Sequence, residues 1–179
     1  DIAAVTDQAG AYIETRARSG GKLAIVVDVD ETALSNLPSL AANDLGLIVA
    51  GPCDLEHGPC GFVAWAQMAR ASAIKPVLAL TRLARDRGVA VFFITGRPER
   101  LREATERNLR AAGYEWTVLI LKPDALATRS AVDFKAPERR KIADQGYAIV
   151  ANVGDQMSDL DGGFAERTYK LPNPFYFVP

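Results

Sequence analysis

Residues 23–32 read Leu23-Ala24-Ile25-Val26-Val27-Asp28-Val29-Asp30-Glu31-Thr32, and this stretch decides the fold. Leu23 to Val27 is an unbroken apolar run rich in β-branched side chains and short for a helix. It reads as a strand buried on both faces, as in a parallel sheet. The run leads straight into two carboxylates, Asp28 and Asp30. Two positions apart at a strand end, both can face the same side.

Three similar runs follow, Val89–Ile94, Thr117–Leu121 and Tyr147–Val153. Between them lie the helical patterns Pro76–Arg87, Pro98–Ala112 and Pro137–Gln145, closed by Gly88, Gly113 and Gly146. Proline at the start and glycine just past the end is the expected helix punctuation. Upstream, Ile2, Val5, Ala9, Tyr12 and Ile13 recur at helical spacing, giving an opening helix that ends near Gly20–Gly21. Strands alternating with helices predict an α/β fold with a doubly wound, Rossmann-like parallel sheet.

One interval breaks the alternation. More than forty residues, Thr32 to Lys75, separate the first strand from its crossover helix, where a connection of about 2–6 residues is usual. Residues 33–75 are therefore predicted to form a small, mainly helical cap with a helix over Phe62–Ser72. The cap sits at the carboxyl edge of the sheet, where open α/β sheets bind ligands. Residues 1–179 are expected to be one domain with this insertion inside it.

Composition narrows the partners. Lys+Arg number 21 and Asp+Glu 22, with no basic stripe, which argues against a nucleic-acid binder. No stretch approaches the roughly 18 consecutive apolar residues of a membrane span. The sequence starts at Asp1, directly in a helical pattern, so the compartment is not readable from its N-terminus.

Four polar groups end the predicted strands or border the same edge: Asp28 and Asp30; Thr95-Gly96-Arg97; Lys135; and Gly154-Asp155-Gln156-Met157-Ser158-Asp159. Singly each has an ordinary explanation, such as turn or cap chemistry for the aspartates and a surface position for the lysine. In this order they complement one another. One carboxylate can attack phosphorus, and the other can protonate a leaving alcohol and then deprotonate water. Thr95, Gly96 and Lys135 can hold phosphate oxygens, and Asp155 adds an all-oxygen site suited to magnesium.

These four segments resemble the motifs of the haloacid dehalogenase-like phosphatases, in particular the acid phosphatase branch that includes plant acid phosphatases, vegetative storage proteins and bacterial class C acid phosphatases. Further matches are Asp30-Glu31-Thr32-Ala33-Leu34-Ser35-Asn36, the helix carrying Ala104-Thr105-Glu106-Arg107-Asn108-Leu109, and Lys170-Leu171-Pro172-Asn173-Pro174. The resemblance implies a Mg2+-dependent phosphomonoesterase with Asp28 as nucleophile and metal ligand. Asp30 would be acid/base and bind metal through its backbone carbonyl. Thr95, Gly96 and Lys135 would bind phosphate, Asp155 would bind metal, and Asp159 would orient the metal's surroundings. Substrates would be small phosphomonoesters, nucleoside monophosphates among them. Storage relatives can lack the nucleophile, which is present here. Met157 stands where an aromatic is expected.

Two rivals remain in view. A phospho-receiver domain would carry its accepting aspartate after a later strand, where Thr95 stands. A calcium loop counted from Asp28 would need glycine at its sixth position, where Ala33 stands. Phe62 and Trp65 open the cap helix and either stack on substrate or pin the cap. Arg97 either contacts substrate or ends a helix. The tail aromatics Phe175, Tyr176 and Phe177 read as packing. Cys53, His57 and Cys60 fall one short of a closed four-ligand zinc site. Cys53 and Cys60, each following Gly-Pro, are expected to form a disulfide, two reduced thiols being the alternative. The family's frequent export to oxidising compartments favours the bond and a periplasmic or secreted location.

Overall fold

Leu23–Val27 forms the middle strand of a five-stranded sheet in the computed structural model, which describes residues 1–126 and 128–178. In chain order the elements are α1 (Ile2–Arg18), β1 (Leu23–Val27), β2 (Leu34–Ser35), α2 (Leu37–Ala41), α3 (Phe62–Met68), β3 (Ser72–Ala73) and α4 (Lys75–Asp86). They continue with β4 (Ala90–Pro98), α5 (Arg102–Ala111), β5 (Val118–Lys122), α6 (Ala131–Asp144), β6 (Ala148–Gly154), α7 (Met157–Leu160) and β7 (Thr168–Lys170). The sheet order is β5-β4-β1-β6-β7 and every pairing is parallel.

Alternation along β1 divides the core. Leu23, Ile25 and Val27 pack with Ala9 and Ile13 of α1, Val77 and Leu80 of α4, and Leu109 of α5. Ala24 and Val26 face the other way, toward Phe92, Ile94 and the α6 residues Phe134 and Ile142. A strand covered on both faces has no polar position to offer. Each such buried aliphatic side chain contributes about 1.5–3 kcal/mol relative to exposure.

The topology positions the site. From β1 the chain steps outward to β4 and β5, and then α6 carries it back across to β6 on the other flank of β1. The winding reverses between β1 and β6, so their carboxyl ends border the crevice where doubly wound sheets bind ligands.

Four sequence expectations need correction. The helix expected at Pro137 begins at Ala131, with the Ser130 hydroxyl accepting the Asp133 N–H at 3.1 Å, and Pro137 lies inside it. Lys135 thus rides on the helix, ahead of Pro137. Pro98 closes β4, and a 3-10 turn, Glu99–Leu101, separates it from α5. The cap helix stops at Met68 because Ala69 adopts a left-handed φ of 54°. The short edge strand β7 was not anticipated.

The insertion opens and closes on the antiparallel ribbon β2–β3. Within it lie α2 and α3, with turns over residues 42–61. Cys53 and Cys60 are joined in a disulfide, so their sulfurs are not zinc ligands. His57 is exposed, its Nδ1 3.3 Å from Asp54 Oδ2. No described helix is long and apolar enough to cross a membrane.

Candidate active site

Asp28 is the first residue past β1, and its backbone N–H donates to the Val153 carbonyl of β6 at 3.0 Å. That bond ties the two strand ends together beneath the site. The Lys135 ammonium reaches in from α6 and donates both to Asp28 Oδ1 and to Asp159 Oδ1, the latter at 2.7 Å. Asp159, on α7, accepts the Gln156 N–H on its other oxygen at 2.9 Å. Asp155 follows β6. Its Oδ1 accepts the Thr32 hydroxyl at 2.9 Å, and its Oδ2 accepts Gln156 Nε2 at 2.6 Å and Asn173 Nδ2 at 2.8 Å.

Three buried carboxylates crowd one lysine. Burial pushes the Asp28 carboxyl well above the usual aspartate range. Lys135 pulls it back, while the charges of Asp159, Asp155 and Asp30 add to the rise. Asp155 is raised by burial and by Asp159, against its three hydrogen bonds. Burial alone would lower Lys135, but the carboxylates of Asp28 and Asp159 hold it above the ordinary lysine value. Ligand oxygens of Asp28, Asp155 and Asp159 lie within 4.8 Å of one another. A buried, all-oxygen, surplus-negative set fits a hard divalent cation, which would offset the crowding.

Asp30 is held differently. Arg97, 1% exposed, clamps it from β4, with Nε 3.1 Å from both carboxylate oxygens and Nη2 2.7 Å from Oδ1. Asn36 Nδ2 donates to the same Oδ1 at 2.8 Å. Glu31 adopts a left-handed φ of 51°, a region non-glycine residues seldom occupy. Its carboxyl is raised by burial and by Asp30, while hydrogen bonds from Tyr176 and Asn36 pull it down.

These groups open on a cavity of about 510 Å³. Asp28, Asp30, Lys135, Asp155 and Asp159 line it together with Gly96 and Arg97. Leu47, Val49 and Phe62 of the insertion also line it, as do Arg100, Lys122 and Arg129. Thr95 is fully buried at the end of the same strand; its hydroxyl accepts the Arg97 N–H at 3.1 Å, which leaves its own O–H to donate.

Of the residues predicted for the site, all but Thr95 and Trp65 line the cavity. Trp65 is 2% exposed and lines no part of the cavity; its indole N–H donates to Asn36 Oδ1 at 2.8 Å. Its burial places it within the cap's packing rather than at the cavity surface. Arg97 ends a strand, not a helix. Tyr176, read as packing, lines the cavity and donates to Glu31 Oε2 at 2.7 Å. Asn36, Gln156 and Asn173 are further polar residues that reading gave no role. Asn36 and Asn173 stood within quoted motifs, but their contacts to Trp65 and Asp155 leave no local signal.

Comparison with known proteins agrees with this geometry. The chain is 37% identical to acid phosphatase 1 of Solanum lycopersicum over 99% of its length and 68% of that protein's. It is 36% identical to the stem 28 kDa glycoprotein of Glycine max, over 86% of this chain and 59% of that one. With vegetative storage protein 1 of Arabidopsis thaliana it shares 33% identity, over 86% of this chain and 55% of that one. The chain thus spans roughly three fifths of the length of these two relatives. The fold matches that of the class C acid phosphatase from Bacillus anthracis, with a TM-score of 0.71 at 22% identity, covering 98% and 79% of the two chains. The family described as HAD superfamily, subfamily IIIB (acid phosphatase) matches residues 1–179. The chain belongs to subfamily IIIB of the HAD superfamily, the acid phosphatases.

Proposed function

We propose that this chain is a magnesium-dependent acid phosphatase that hydrolyses small phosphomonoesters through an aspartyl phosphate on Asp28. The observation that carries the reading is the Asp28 carboxylate, buried at the reversal point of the sheet against Lys135 and open to a cavity.

The placement of these groups supports the following step. An Asp28 oxygen attacks phosphorus and the bond from phosphorus to the leaving oxygen breaks. Asp30, held by Arg97, gives that oxygen its proton. Water then attacks the aspartyl phosphate and gives a proton to Asp30. The bond from phosphorus to Asp28 breaks, and phosphate and the free carboxylate return. Lys135, the Thr95 hydroxyl and the Gly96 amide hold the transferring oxygens. Asp28, Asp155 and the Asp30 backbone carbonyl would hold Mg2+, which would neutralise charge on the phosphoryl group. Asp159, whose oxygens already accept from Lys135 and Gln156, would orient the ion's surroundings.

The substrate body lies against Leu47, Val49 and Phe62, and nucleoside monophosphates are candidates alongside simple aryl esters. The Cys53–Cys60 disulfide and the glycoprotein relatives support an exported protein. Kinship with storage proteins raises a second reading, a relative without turnover.

One experiment separates the two readings. An aryl phosphate should be hydrolysed with magnesium and left intact with chelator, and Asp28→Asn should abolish turnover in folded protein. Full activity in Asp28→Asn would remove the nucleophile. An inert wild type would favour the storage reading.

A further inference from the structure

We propose that Asn36 is a positioning residue for Asp30, fixing the proton-transfer carboxylate relative to both the cap and the tail. The inference rests on the reading of Asp30 as acid/base.

Asn36 is 2% exposed and begins α2. Its two amide N–H groups are divided between two carboxylates, Asp30 Oδ1 at 2.8 Å and Glu31 Oε2 at 2.9 Å. Its carbonyl accepts the Trp65 indole N–H at 2.8 Å. An indole N–H can only donate, so the amide oxygen must face Trp65 and the NH2 group must face the two carboxyl groups. Asparagine supplies two donors and an acceptor on one short planar group, which is what these partners require.

The bracket is itself held. Glu31 Oε1 accepts the Asn36 backbone N–H at 2.6 Å, and Glu31 Oε2 accepts the Tyr176 hydroxyl. Three hydrogen bonds thus fix Glu31 in its left-handed conformation, immediately beside Asp30. Arg97 holds both oxygens of Asp30 with charge. Asn36 adds a second, uncharged donor to Oδ1, so two separate groups restrain the side chain. Through Trp65 and Tyr176 the setting depends on the cap helix and the C-terminal tail being in place.

A group that aims the acid has a kinetic signature that a merely structural group lacks. Proton delivery matters for a poor leaving group and little for a good one. The test compares kcat/KM for an alkyl phosphate and for 2,4-dinitrophenyl phosphate at saturating magnesium, in wild type, Asn36→Ala, Asn36→Asp and Trp65→Phe. The alkyl ester should lose about 10–100-fold in Asn36→Ala, and the dinitrophenyl ester should change little. Asn36→Asp should lose at least as much, because it sets an acceptor against two carboxylates. Trp65→Phe keeps a buried ring and removes only the N–H. It should show a smaller loss with the same leaving-group dependence, and it carries the test if the Asn36 variants do not fold. Equal losses on both esters, or none, in an active enzyme overturn this inference alone. A wild type inactive on every ester overturns the acid/base reading and this inference with it.

Discussion

The aspartates of the site are separated by their partners rather than by their chemistry. Asp28 meets an ammonium among other carboxylates, whereas Asp30 meets a guanidinium and an amide. Asp159 is held at both oxygens, and its side chain also packs on Gly154. A Cβ at Gly154 would lie 2.4 Å from Asp159 Cβ and 2.6 Å from its Oδ2. That spacing cannot persist, so Gly154→Ala must push Asp159 off Lys135 or off the Gln156 N–H. The expected outcome is a magnesium affinity about 10–100-fold weaker, the loss typical when a group supporting a metal ligand is disturbed. Titration calorimetry on folded Gly154→Ala checks it, and wild-type affinity would show that Asp159 has no part in holding the ion.

At the scale of elements, the sequence was most readable where a segment's surroundings are uniform. β1 was read at its observed bounds because a strand covered on both faces leaves only apolar residues to see. β5 and β6 are shifted by one residue from their apolar runs. Helix starts were read from proline, and α6 shows the weakness of that signal. Ser130 caps it well ahead of Pro137, a proline the helix carries in its interior. Catalytic candidates at strand ends were readable because each follows a local motif. The contacts Asn36–Trp65 and Glu31–Tyr176 span 29 and 145 positions and depend on how the cap and tail fold back. The cap's turn over residues 53–60 is tied by Asp54 N–H to the Pro59 carbonyl and Gly61 N–H to the Pro52 carbonyl, besides its disulfide. Closing so short a loop removes only about 2.5 kcal/mol of unfolded-state entropy. A Cys53→Ala/Cys60→Ala variant should therefore lose at most about that much global stability, while protease nicking within residues 42–61 rises. Unchanged nicking would show that the bond does not shape the cap.

For the whole molecule, the ionisable groups fall into two sets that respond oppositely to pH. Glu166 is lowered by its hydrogen bond from Arg16, Glu99 by Arg102, and Asp54 by the backbone N–H groups of His57 and Glu56. A carboxylate with a depressed folded pKa adds stability above its unfolded value, and that contribution is lost as pH falls through the folded one. These groups sit near the surface, so each contributes little. Asp28, Glu31 and Asp155 behave the other way. Burial raises them, so their contribution is complete below the unfolded carboxylate range and is lost as pH rises through their folded values. In chelator the melting temperature should therefore peak on the acid side of neutral, above the range where the surface carboxylates protonate. If the ionised cluster holds magnesium in the folded state, as proposed, the ion should raise the melting temperature most at neutral pH and progressively less toward acid. Asp155→Asn removes one raised carboxyl and one proposed ion ligand together. Relative to wild type it should gain stability in chelator as pH rises, and it should lose most of the magnesium response. Thermal unfolding from pH 3 to 8, with magnesium and with chelator, measures both differences. Parallel wild-type profiles in the two conditions would mean that these carboxylates do not share a cation.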